Sequence, residues 1–151
     1  MRTFATLAEL SACQGQDVAT SDWVVLSPQR VGAFADATSD HQWIHVDAAR
    51  ASEGPFGVPI AHGFLTLSLL PHFLDTALRV DGLRMALNYG LNKVRFTAPV
   101  PVNSRLRAHF HVQEVQSLAP DGVQVCWTVT MELEGADKPA CVAQALVRYY
   151  V

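Results

Sequence analysis

The residue types best suited to chemistry are gathered in one short stretch, Ala37-Thr38-Ser39-Asp40-His41-Gln42-Trp43-Ile44-His45-Val46-Asp47. Two carboxylates and two imidazoles share it, and Pro59-Ile60-Ala61-His62-Gly63 follows shortly after. A carboxylate and an imidazole that converge on one substrate can give and take protons, each worth roughly 10²–10⁴ in rate. The residue types alone leave open which carboxylate and which imidazole would pair, and which would be the acid. Asp47 precedes a short helical stretch and suits its N-cap. His41 suits an exposed loop or a loop-stabilising contact. His62 suits a residue that orients the loop through a hydrogen bond. The spacing of Asp40, His45, Asp47 and His62 matches no established metal-ligand pattern, so no metal is expected.

These residues need elements to hold them. Residues 5–14 can form a short helix ended by Gly15, and Asp22 to Leu26 a brief strand. Ser27-Pro28 opens a helix, with a serine cap and proline at the first position. Val31, Phe34, Ala35 and Thr38 share one of its faces. Ser39 to His45 is expected to be a loop, and Ala48 to Glu53 a short helix terminated by Gly54-Pro55. The apolar residues of Gly63 to Leu70 go nearly all round a helical wheel, which predicts a buried helix. Pro71 should kink that helix, with Phe73, Leu74, Ala77 and Leu78 continuing it.

After Asp81-Gly82 the hydrophobic period becomes two. Met85, Leu87, Tyr89 and Leu91 alternate, and the phase slips between Gly90 and Lys93, which predicts a bulge or bend. Three further runs follow: Leu106 to Val112, Val123 to Leu133, and Cys141 to Tyr150. His109 and His111 fall on the polar side of their run. Short connections make these strands antiparallel, and their apolar face needs the helix as a cover. The fold class is therefore α+β, an antiparallel sheet wrapped around one buried helix, in one domain spanning residues 1–151.

Composition excludes several classes of function. Lys plus Arg number 11 against 14 Asp plus Glu, for a formal charge of −3, without a basic run, so no nucleic-acid partner is expected. No segment is long and apolar enough to span a bilayer. Met1 to Thr6 carries one positive charge and no apolar block, unlike a secretory signal. Three cysteines, Cys13, Cys126 and Cys141, lack CxxC spacing. They fit packing positions in a reducing cytoplasm better than a disulfide framework or zinc site.

Asp40-x4-His45-x-Asp47 resembles the motif of the MaoC-like, (R)-specific enoyl-CoA hydratase (hydratase 2) family, usually Gly-Asp-x-Asn-Pro-Ile/Leu-His-x-Asp. His62-Gly63 resembles the family's step into its central helix, and Asn92 to Val100 its following strand. The run Asp-His-Gln-Trp-Ile-His-Val-Asp is closest to the branch related to nodulation protein N. Ser39 stands where the family has glycine, and Gln42-Trp43 where it has Asn-Pro. The resemblance implies a hot-dog fold and a homodimer whose sheets join. It implies hydration of (2E)-enoyl-CoA to (3R)-3-hydroxyacyl-CoA, with Asp40 and His45 holding the reacting water. The backbone N–H of Gly63 would receive the thioester oxyanion. A helix start offers free N–H groups and a positive dipole end, and glycine allows close approach. Coenzyme A belongs to the substrate, and no cofactor is implied.

The same site can run as a dehydratase, and the carrier can be coenzyme A or a carrier protein. Two other functions compete. A hot-dog thioesterase generally places a catalytic Asp or Glu near or on the central helix. Gly63 to Leu74 contains none, and Asp75 lies past Pro71. A non-catalytic acyl-thioester-binding subunit has no need of Asp40 and His45. Lys93 and Arg95 are candidates for the coenzyme A phosphates, or simply a solvated face. Trp43 and Pro71 point to a restricted pocket.

Overall fold

The computed structural model describes residues 1–151. Strand β1 (Arg2–Phe4) and helix α1 (Leu7–Ser11) open the chain, followed by β2 (Asp17–Thr20) and β3 (Val24–Val25). Next come α2 (Pro28–Thr38), α3 (Trp43–Val46), α4 (Ala48–Ser52), α5 (Gly63–Ser68) and α6 (Leu70–Ala77). Strands β4 (Leu78–Val80), β5 (Met85–Phe96), β6 (Arg105–Leu118), β7 (Gly122–Leu133) and β8 (Cys141–Tyr150) complete it.

The large sheet runs β2-β6-β7-β8-β5, with β3 also on β6, and every pairing in it is antiparallel. Alternation decides its faces. Leu106, Ala108, Phe110 and Val112 point inward beside Val125, Trp127, Val129 and Met131, all at most 1% exposed. The odd residues of β8 from Cys141 to Tyr149 continue that face. Phe73 of α6 is fully buried in the same cluster. Each Leu, Val, Phe or Met side chain among them contributes about 1.5–3 kcal/mol by leaving water. A long antiparallel sheet thus wraps one helical segment, which is the hot-dog arrangement. The outer face carries ion pairs instead: Arg107 with Glu132 at 2.6 Å, His109 with Glu132 at 2.6 Å, and His111 with Asp17 at 2.8 Å.

Several local expectations hold. Ser27 caps α2, accepting from the Arg30 N–H at 3.2 Å, and Asp47 caps α4, accepting from the Arg50 N–H at 3.0 Å. The β5 phase slip is two register shifts, at Asn88/Gly90 and Leu91/Lys93.

Others are corrected. Residues 43–46 form the single helical turn α3 rather than loop, so His45 rides on a helix. Pro71 does not kink one helix: the segment breaks at Leu69, and Pro71 sits in the first turn of α6, where no N–H is missed. The segment is not buried all round either. Phe64, Ser68, Pro71, His72 and Asp75 form an exposed stripe at helical spacing, with Phe64 69% exposed. Leu78 leaves the helix for β4, which pairs in parallel with β1. These two short strands, and β2, are too brief for alternation to announce.

Candidate active site

The site is hung between α2 and α5 and pinned to the body by backbone bonds. Ile60 N–H donates to the Ile44 carbonyl (3.0 Å), Ala61 N–H to Val100 (2.8 Å) and Val102 N–H to Pro59 (2.9 Å). The 59–61 segment therefore runs between α3 and the chain that leads into β6.

That segment also sets the chemistry of His45. Its Nδ1–H donates to the Ile60 carbonyl at 2.7 Å, which fixes the tautomer and leaves Nε2 with a bare lone pair. Its side chain is nearly buried, at 9% exposed. Burial pushes its pKa below the ordinary 6.5, and the neighbouring His62 adds to that. The Ile60 carbonyl and Asp40 pull the other way without reversing it. His45 is thus neutral at neutral pH and equipped to accept a proton at Nε2.

Asp40 lies on the exposed turn after α2, where its Oδ1 accepts weakly from the Gln42 N–H at 3.4 Å. His62 is 2% exposed, and its Nε2–H donates to the Asp40 carbonyl at 2.9 Å. The imidazoles of His45 and His62 stack with centroids 3.8 Å apart and planes at 28°. Ligand atoms of Asp40, His45 and His62 all lie within 4.8 Å of one another. One nitrogen of each ring is committed to a backbone carbonyl.

Gly63 opens α5. The first internal bond of that helix is Thr66 N–H to the His62 carbonyl, so the Gly63 N–H has no acceptor within the chain. A Cβ on Gly63 would come within 2.9 Å of the Phe96 ring, so glycine also lets β5 pack against the helix start. The structure thus brings Asp40, His45 and His62 together, with Gly63 next in chain to His62.

The remaining candidates fall outside. Asp47 is spent on α4, and His41 is half-exposed and bonds Asp36 at 2.9 Å. Lys93 and Arg95 stand opposite Gln144 and Val142 on the outer face of the sheet, away from the helix. Trp43 packs between the Arg50 guanidinium (4.6 Å) and Gly54, bracing α3 on α4. The Ile60 carbonyl and the imidazole stack carried no sequence signal, since any residue offers a carbonyl.

The cavities place room along the helix. Two grooves of about 380 and 600 Å³ share Pro71 and Asn88 and run between α5–α6 and strands β5 and β8. Leu67, Leu70, Leu74, Leu91 and Val147 line them. A smaller cavity of about 370 Å³, between α2, residues 58–59 and residues 102–103, is lined by His45 itself. The largest space is therefore not against the dyad, and geometry at the dyad weighs more than cavity size.

Residues 9–133 match the MaoC-like domain. The chain belongs to the MaoC-like family. It is 54% identical over 149 residues to 3-hydroxyacyl-thioester dehydratase Z of Mycobacterium tuberculosis, covering 99% of both chains. Nodulation protein N of Rhizobium leguminosarum is 41% identical over 140 residues, covering 91% of this chain and 87% of its own. Among solved structures, the (R)-hydratase from A. caviae involved in PHA biosynthesis superposes with a TM-score of 0.72. It is 25% identical over 89% of this chain and 94% of its own. The Archaeoglobus monoamine oxidase regulatory protein shares the fold, with a TM-score of 0.80 at 22% identity over 99% and 96% of the two chains. This MaoC-like protein is accordingly a hydro-lyase of the dehydratase/hydratase 2 type.

Proposed function

We propose that this protein interconverts (2E)-enoyl-CoA and (3R)-3-hydroxyacyl-CoA, with the acyl chain lying in the groove along α5–α6. One observation carries the reading: the bare Nε2 of a neutral His45 beside the Asp40 carboxylate. In hydration, His45 takes a proton from water as the water oxygen bonds C3. The C2–C3 π electrons move onto the thioester oxygen, and the Gly63 N–H receives that charge. Asp40, ionised at the outset, takes that proton from the His45 imidazolium and delivers it to C2 as the thioester carbonyl re-forms, so both residues return to their starting states. The sum is one water added across the double bond, and no cofactor enters. One oxyanion donor is typically worth about 2.7–4 kcal/mol in the transition state. A 3-hydroxyacyl-thioester dehydratase matches this chain nearly end to end, which supports the reading.

The test follows the ultraviolet absorbance of crotonyl-CoA at the enoyl thioester band. Wild type should remove it, and Asp40→Asn and His45→Gln should lower kcat by about 10²–10⁴ while remaining folded. A chiral assay of the product then checks the (R) configuration. Release of free thiol instead would overturn the reading in favour of a thioesterase.

The same reading places two copies side by side in the cytoplasm. β5 is an edge strand exposed along nearly its whole length, with Met85, Leu87, Tyr89 and Leu91 uncovered. The exposed helical stripe from Phe64 to Asp75 borders the grooves that β5 also lines. An apolar edge strand beside a helical stripe that exposes Phe64 and Pro71 is a surface that a second copy would cover. Light scattering should give a dimer for wild type and a monomer for Leu87→Asp. A wild-type monomer would end that part of the reading.

A further inference from the structure

We propose that His62 is the positioning residue of this site, a buried ring that holds the Asp40 turn and the His45 imidazole as one preassembled unit. The inference rests on the hydratase reading of Asp40 and His45.

His62 is the one side chain bound to both. Its Nε2–H holds the Asp40 carbonyl at 2.9 Å, and its face lies on His45 at 3.8 Å. Phe34 of α2 closes on it as well, with centroids 5.1 Å apart. Asp40 needs that grip. Its turn is exposed, and its own side-chain bond, from the Gln42 N–H, is long at 3.4 Å. His45 is held separately by Ile60. Without His62, one member of the pair would be fixed and the other tethered only by an exposed turn.

The ring's protonation state follows from geometry. Nδ1 is buried and has no hydrogen-bond partner. A proton there would be a buried donor without an acceptor, costing about 1–3 kcal/mol. The ring is therefore the Nε2–H tautomer. With one nitrogen committed to a carbonyl and the other sealed in, His62 has no route for exchanging a proton with substrate. It acts through Asp40 and His45, not on the reacting atoms.

Two variants divide the ring's contributions. His62→Phe keeps a flat ring against His45 and deletes the donor. His62→Gln keeps an N–H donor and deletes the ring. The expected result for His62→Phe is a kcat lowered about 10- to 100-fold, the scale of a small misplacement. KM with crotonyl-CoA should stay within about threefold. His62→Gln should recover part of kcat. In wild type, nitrogen shifts should report His62 as the Nε2–H tautomer at neutral pH, a reading that stands even if a variant fails to fold. His62 protonated on Nδ1 at neutral pH would overturn the inference. So would variants with wild-type kcat, or a loss confined to KM. If wild type hydrates no enoyl-CoA while the tautomer comes out as expected, the functional reading fails and the positioning role stands.

Discussion

The centre of the sheet and the segment from Ser39 to Gly63 are built on different principles. In β6, β7 and β8, side chains are held by packing, and one face is sealed by register while the other is laced with ion pairs. In 39–63 most side chains are exposed, and the few that matter are held by single bonds to backbone carbonyls: Ile60 for His45, Asp40 for His62. Packing spreads a fault over many neighbours, whereas a single bond places one atom and fails alone. Stability and activity should therefore be separable by mutation.

The largest separation should come from Trp127. Its ring is fully buried, lies edge-on to Phe110 at 5.8 Å, and its Nε1–H donates to the Tyr149 hydroxyl at 3.1 Å. Trp127→Ala should cost about 3–5 kcal/mol, measured by denaturant unfolding. At temperatures where it stays folded, kcat should be near wild type. A loss of activity larger than the loss of folded protein would show that the sheet core and the dyad are coupled after all.

This division also explains what could be read from sequence. Leu106 to Val112 and Trp127 to Met131 announced their faces by a period of two that many residues repeat. Asp40 and His45 were legible as types in a motif, and Gly63 as a helix start. The His45–His62 stack was not legible, because residues 17 apart in sequence meet only through the 59–61 backbone bonds. The exposed stripe on α5–α6 was misread as buried, since Phe64 and Pro71 are apolar whether a second copy covers them or not. Trp43 was expected to narrow a pocket and instead braces α4, which its stacking on Arg50 decides and its size does not.

A smaller effect should separate the two regions by pH. The folded state holds the pKa of His45 below the 6.5 of the unfolded chain. The unfolded state thus binds more protons in that window. The resulting stability is present above pH 6.5 and is lost as pH falls through the folded value. Unfolding midpoints measured from pH 7.5 to 5 should fall more steeply for wild type than for His45→Gln. The acid limb of wild-type kcat/KM should lie below 6.5 for the same reason. Equal slopes for the two proteins would mean that His45 gains no neutrality from folding.

The smallest effect should come from the residue that joins α2 to the site. Ser39 ends that helix in the left-handed region, at φ 60° and ψ 21°. An L-residue there costs roughly 1–2 kcal/mol because Cβ crowds the carbonyl. Ser39→Gly removes that cost and restores the residue the family usually carries. It also frees the unfolded chain, which returns about 0.4–1 kcal/mol to the unfolded side. The net gain should lie between zero and about 1.6 kcal/mol, a rise of at most about 3–6 °C in Tm for a chain of this size. Activity is the sharper readout. If the His62 bond holds the Asp40 carbonyl, added freedom at Ser39 should leave kcat nearly unchanged. A marked fall would mean that the stiffness of Ser39, and not the grip of His62, keeps the carboxylate in place.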